Sequence, residues 1–96
     1  MRRAHKVDRN QGQIVRALRA AGVIVWDCSA YGGGFPDIVC RRHGEEAVFM
    51  EIKDGSKPPS ARKLTPDEMR FHCLFDVAVV TSPAEALAAM GIRVAP

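Results

Sequence analysis

The sequence predicts an α/β protein, with one mixed β-sheet and helices packed against it. Three observations predict this. Short apolar runs bounded by turn residues recur at Val23–Cys28, Ile38–Cys40, Ala47–Ile52 and Val77–Thr81, with the length and flanks of strands. Apolar residues at helical spacing, Ile14, Val15, Leu18 and Ala21, precede the first run. Two later segments open on one helix-start signature, Thr65-Pro66-Asp67-Glu68 and Ser82-Pro83-Ala84-Glu85. The resulting order, α-β-β-β-α-β-α, builds a sheet that helices can cover.

Residues 1–7 hold Arg2, Arg3 and Lys6 and no periodic pattern, which predicts a flexible basic arm. A helix is expected from Asp8 and is closed by Gly22. Asn10 and Gln11 fall at its start. There Asn is a good cap, while Gln is either an ordinary exposed residue or a participant in a site. The unbroken run Val23-Ile24-Val25-Trp26 predicts a strand buried on both faces, with Trp26 in the core. Ser29–Phe35 reads as a loop, because Gly32, Gly33 and Gly34 can take positive φ and leave the backbone accessible.

His43–Glu46 supplies a hairpin turn between the next two strands. Residues 54–64 contain prolines, serines and a glycine among Lys57, Arg62 and Lys63, and predict an exposed, flexible basic loop. The helix that Thr65 caps should reach about Phe75. The one that Ser82 caps should end at Gly91. Both caps are explained by helix initiation, and neither Thr65 nor Ser82 needs further chemistry.

Composition bounds the possible functions. A chain of 96 residues, 47% of them apolar, predicts a single domain with one core. No apolar run approaches the roughly 20 residues of a spanning helix and no secretory signal is present, so the expected compartment is the cytoplasm and no membrane partner is expected. Cys28, Cys40 and Cys73 are odd in number and lack a Cys-x-x-Cys pair. Each is expected to be a small buried apolar residue. Residues 1–63 carry 12 Lys and Arg against 7 Asp and Glu, whereas residues 64–96 carry 2 against 4. Such asymmetry suits a protein that lays one face on a polyanion.

The polar residues that stand out are Asp37 in Pro36-Asp37, and Glu51 and Lys53 in Glu51-Ile52-Lys53. If the hairpin folds about Gly44, positions summing to 88 stand opposite each other, and Asp37 faces Glu51. Alternation puts Glu51 and Lys53 on one face, and cross-strand pairing brings Asp37 to it. Opposed carboxylates destabilise a sheet unless something neutralises them, which a bound Mg²⁺ would do. The plainer alternative is a surface Glu–Lys pair on an edge strand, with Asp37 as a turn residue.

Pro36-Asp37 followed by Glu51-Ile52-Lys53, in this element order, resembles the PD-(D/E)XK nuclease superfamily with its restriction-endonuclease-like core. Gly34-Phe35-Pro36-Asp37-Ile38-Val39, Phe49-Met50-Glu51-Ile52-Lys53 and Leu64-Thr65-Pro66-Asp67-Glu68 are most similar to small VRR-NUC-type proteins, often phage-encoded. Holliday-junction resolvases share that core. The likeness runs from about Asp8 to Gly91. It implies a divalent-metal-dependent endonuclease for DNA, placed in the host cytoplasm if the gene is a phage's. It further implies that Asp37, Glu51 and the main-chain carbonyl of Ile52 hold Mg²⁺ or Mn²⁺, and that Lys53 orients water or stabilises charge on the phosphate. Many relatives carry a glutamate where this chain has Gln11, an accessory candidate, and the Val-Arg-Arg signature is absent.

Lys57, Arg62 and Lys63, with the basic arm, are expected to meet phosphates. Tyr31 is a candidate for stacking on an unpaired base, and Gly33 for letting the strand approach Asp37. Phe35 is expected to pack beneath the loop and His72 to be structural. The glycines are no P-loop, since no Gly-Lys-Ser/Thr follows. A homodimer would place two such sites on two strands. The alternative is a nuclease-fold module that binds nucleic acid or a partner protein without turnover, and a third reading is a small α/β interaction protein.

Overall fold

A computed structural model describes residues 10–93. The basic arm, Arg2, Arg3 and Lys6 included, and the helix start at Asp8 lie outside these residues. The elements are α1 (Gln11–Ala20), β1 (Ile24–Asp27), β2 (Ile38–Arg41), β3 (Val48–Ile52), a 3₁₀ turn (Pro59–Arg62), α2 (Pro66–Leu74), β4 (Val77–Val80) and α3 (Pro83–Ala89). The expected order is observed, with the 3₁₀ turn as an addition.

The sheet runs β1-β2-β3-β4, antiparallel except for the parallel β3–β4 pair. The hairpin register pairs Ile38 with Met50, Val39 with Phe49 and Cys40 with Val48, each pair summing to the expected 88. Gly44 (φ 81°) makes the turn, closed by the Glu45 N–H on the Arg42 carbonyl at 2.9 Å. The parallel strands β3 and β4 need a crossover connection, which α2 supplies, because no tight turn can join strands that run the same way.

The two faces of the sheet are covered differently. On one, Ile14 and Leu18 of α1 and Ala86 of α3 pack with Val25, Ile38, Cys40, Met50, Ile52 and Val80 into the buried core. On the other, α2 is attached through rings: Phe71 lies 5.4 Å from Phe49 and 5.3 Å from Phe35, and Phe75 stacks on Phe71 at 4.7 Å. Such ring pairs contribute about 0.5–1.5 kcal/mol each beyond their area. Phe35 thus packs as expected.

This uneven cover corrects two expectations. Trp26 is 66% exposed, not core, because β1 is an edge strand and, among the described residues, no helix covers its second face. Its apolar run reflects burial of alternate residues, Val23 and Val25, while Ile24 and Trp26 face outward. Cys28 and Cys40 are buried as expected, but Cys73 is exposed on the solvent side of α2, with Met69 and Leu74.

The basic loop is also more structured than its composition suggests. The Asp54 side chain accepts from the Ser56 N–H at 2.9 Å and hydroxyl at 2.6 Å, and the 3₁₀ turn follows. Among the described residues no helix is long and apolar enough to cross a membrane.

Candidate active site

Asp37 ends the glycine loop one residue before β2. Its own carbonyl accepts from the Cys28 N–H at 2.8 Å, and its carboxylate oxygen Oδ2 accepts from the Ile52 N–H at 2.8 Å. The carboxylate thereby continues the β2–β3 hydrogen bonding where the strand ladder stops. Its neighbour Glu51 sits on β3, a central strand, so Asp37 and Glu51 are both buried, with only 5% and 2% of their surfaces exposed. An exposed edge-strand pair is therefore ruled out.

Lys53, alternate to Glu51 on the same face, brings Nζ to 3.6 Å from Glu51 Oε2 and 2.9 Å from Glu68 Oε1. Glu68 joins the candidate site, although its position in Thr65-Pro66-Asp67-Glu68 signals only a helix cap. It does cap α2: its carboxylate accepts the Thr65 N–H at 2.9 Å, while its own N–H donates to the Thr65 hydroxyl at 3.2 Å. The same Oε1 also receives the Lys53 ammonium. The only available signal was that Glu68 sits at N3 of a helix that must cross the sheet beside Lys53.

Glu51 and Glu68 thus share the Lys53 ammonium, and the charge of Asp37 acts on it as well. Burial, then the charge of Asp37 and the neighbouring Glu68, pushes Glu51 up to about 9. Burial opposes the charged forms of Lys53 and Glu68, yet each outweighs it for the other, raising the lysine and lowering the glutamate. No donor among the described residues reaches the buried Glu51 Oε1. An acceptor in that position calls for a proton or a cation.

Gln11 is buried rather than exposed, with its Nε2 donating to Asp27 Oδ2 at 3.2 Å and its Oε1 without a partner among the described residues. Asp27, absent from the sequence expectations, is the acid it reaches. Burial raises the Asp27 carboxyl, but the Ser29 hydroxyl and N–H, Gln11 and Arg19 outweigh this and lower it. Asn10 does not cap α1 with its side chain. Its Nδ2 instead donates to the carbonyls of Lys53 at 3.0 Å and Thr81 at 2.8 Å, tying the start of α1 to the ends of β3 and β4.

The glycine loop takes positive φ at Gly32, Gly33 and Gly34, as expected. Its role at Gly34 differs from the expected one. A Cβ there would lie 2.5 Å from the main chain of Asp67, so the space admits the start of α2 rather than a nucleic acid strand. Gly33 is exposed, with open space around it. Lys57 and Lys63 are exposed and Arg62 half-buried, all on the loop that leaves the site at Lys53 and returns to it at Glu68. Tyr31 is half-exposed, and His72 is half-buried in α2.

Among the described residues no group of three or more His, Cys, Asp or Glu side chains is arranged to hold a metal ion. The expected donor set is smaller: two carboxylates and the Ile52 carbonyl. It fits a hard divalent cation on one ground, the buried Glu51 carboxylate oxygen that no donor among the described residues reaches. Mg²⁺ commonly takes one or two carboxylates and completes its shell with water. Comparison with family models, with curated proteins and with solved structures finds no match for this chain.

Proposed function

We propose that this chain is a divalent-metal-dependent endonuclease of the PD-(D/E)XK type that hydrolyses DNA phosphodiester bonds. One observation carries the proposal: the hairpin register buries Asp37 beside Glu51, with Lys53 on the same face. Burying two acids side by side is costly for a purely structural purpose. Asp37, Glu51 and the Ile52 carbonyl would hold Mg²⁺ or Mn²⁺, which when bound supplies Lewis-acid activation of phosphate and water.

The chain's own residues do the rest. Asp37 is fixed by the Ile52 N–H, and Glu51 by its central strand. Lys53 stays charged chiefly through the ionised Glu68, which suits it to stabilise negative charge developing on the phosphate. Lys57, Arg62 and Lys63 extend the positive field from the site along the strand's phosphates. Unpaired thiols at Cys28, Cys40 and Cys73 accord with work in a reducing cytoplasm.

The test is a panel of labelled DNA structures incubated with Mg²⁺ or Mn²⁺. Wild type should cleave, while Asp37→Asn, Glu51→Gln and Lys53→Ala should each lower the rate by about 10²-fold or more with the circular dichroism spectrum kept. Equal activity in all four proteins would overturn the reading. The non-catalytic alternative draws on Lys53 being held by Glu68 and on the neutral Gln11. It predicts salt-sensitive DNA binding, no cleavage in either metal, and unchanged binding in Asp37→Asn.

A further inference from the structure

Trp26, Val39 and Phe49 lie in one row across the sheet, since Trp26 pairs with Val39 and Val39 with Phe49. Phe49 and Glu51 alternate on β3, so this row shares its face with the candidate site and adjoins it. The Trp26 indole N–H donates to the Tyr31 hydroxyl at 3.3 Å, and Tyr31 rests on Phe35 at 5.4 Å. Phe35 in turn packs on Phe49 at 5.9 Å and on Phe71. The two outer rings are thus held from behind, yet remain 66% and 51% exposed. Arg41 lies beyond them on the same face, alternate to Val39, and is also exposed.

We propose that Trp26 and Tyr31 form a stacking platform for an unpaired nucleobase, so that the DNA taken by this site carries a single-stranded segment next to the phosphate it presents to Asp37 and Glu51. The inference deepens the nuclease reading and rests on it for the position of that phosphate. Its support is the sequence of chemistries along one face: Lys53 and the acids, then aromatic rings, then the Arg41 guanidinium. A nucleic acid strand alternates phosphate and base in the same way. In a duplex each base is already stacked between neighbours, whereas an unpaired base offers a free face to an aromatic ring. A platform of this kind therefore favours single strands, flaps and frayed ends over continuous duplex.

Trp26 is the only tryptophan in the chain, so its fluorescence reports on the platform alone. The protein is titrated with a short oligothymidylate and with a blunt duplex of equal length, in Ca²⁺ and again in chelator. The single strand should quench Trp26 and bind on the order of tenfold more tightly than the duplex. By polarisation of a labelled oligothymidylate, Trp26→Ala and Tyr31→Ala should each weaken binding by about the same factor, and Trp26→Phe should restore most of it. Equal quenching by the duplex, or no quenching, overturns the inference. So does Trp26 emission that changes with protein concentration alone, which would mark a face for a second copy.

The two readings fail separately. Single-strand quenching that persists in Lys53→Ala, in a protein that cleaves nothing, keeps the platform and removes the enzyme. Cleavage of blunt duplex without single-strand quenching does the reverse.

Discussion

With Glu51 pushed up to about 9, its carboxyl keeps a proton at neutral pH unless a cation replaces it. Metal binding at Asp37 and Glu51 should therefore release about one proton near pH 7. Calorimetry in buffers of different ionisation enthalpy reads that release, and Glu51→Gln should abolish it. The same shift fixes a sign for stability. A group with a raised folded value stabilises fully below its ordinary 4.5, and this contribution is lost as the pH climbs through about 9. The urea midpoint of wild type should accordingly fall across that window, and that of Glu51→Gln should fall less. At Glu68, one oxygen serves both Thr65 and Lys53. Glu68→Gln retains the capping geometry but removes the charge, and should destabilise by about 1–3 kcal/mol in urea titration. A variant indistinguishable from wild type would show that the ion pair contributes nothing.

Among the elements, α2 depends most on a single backbone position. Its start lies so close to the glycine loop that a Cβ on Gly34 would meet Asp67 main-chain atoms at 2.5 Å, at a φ of +85°. Gly34→Ala must displace the helix, should destabilise by more than about 2 kcal/mol and should pull Glu68 from Lys53. Gly33→Ala faces open space at φ +65° and should cost only about 1–2 kcal/mol, the backbone penalty by itself. Thermal melts of the two variants decide whether the loop serves α2 or merely turns. The extent of α2 was legible in the sequence because Thr65, Pro66 and Glu68 form a local signal. Its dependence on Gly34 was not, since Gly34 and Asp67 are far apart in the chain.

For the whole molecule, the positive excess in residues 1–63 sets the form that DNA binding should take under the proposed function. Affinity should fall linearly in log–log terms with salt. Replacing Lys57, Arg62 or Lys63 with Ala should each reduce that slope by about 1. Slopes unchanged in all three variants would remove the basic loop from the interface. Cover of the sheet is the other property at this scale: α1 and α3 fill one face, while α2 leaves Ile24, Trp26 and Val79 exposed on the other. The acids and lysine occupy this less-covered face.

Much of this fold was determined by the sequence alone. Strand runs, capping signals and Gly44 are local features, and they set the element order and the hairpin register, which brings Asp37 beside Glu51. Three things only the tertiary structure decided: that Trp26 is exposed, that Gln11 turns to Asp27, and that Glu68 holds Lys53. Each depends on which face of the sheet a helix covers and how closely it approaches. That geometry is set by long-range packing, and apolar periodicity shows that a face is buried without showing what buries it.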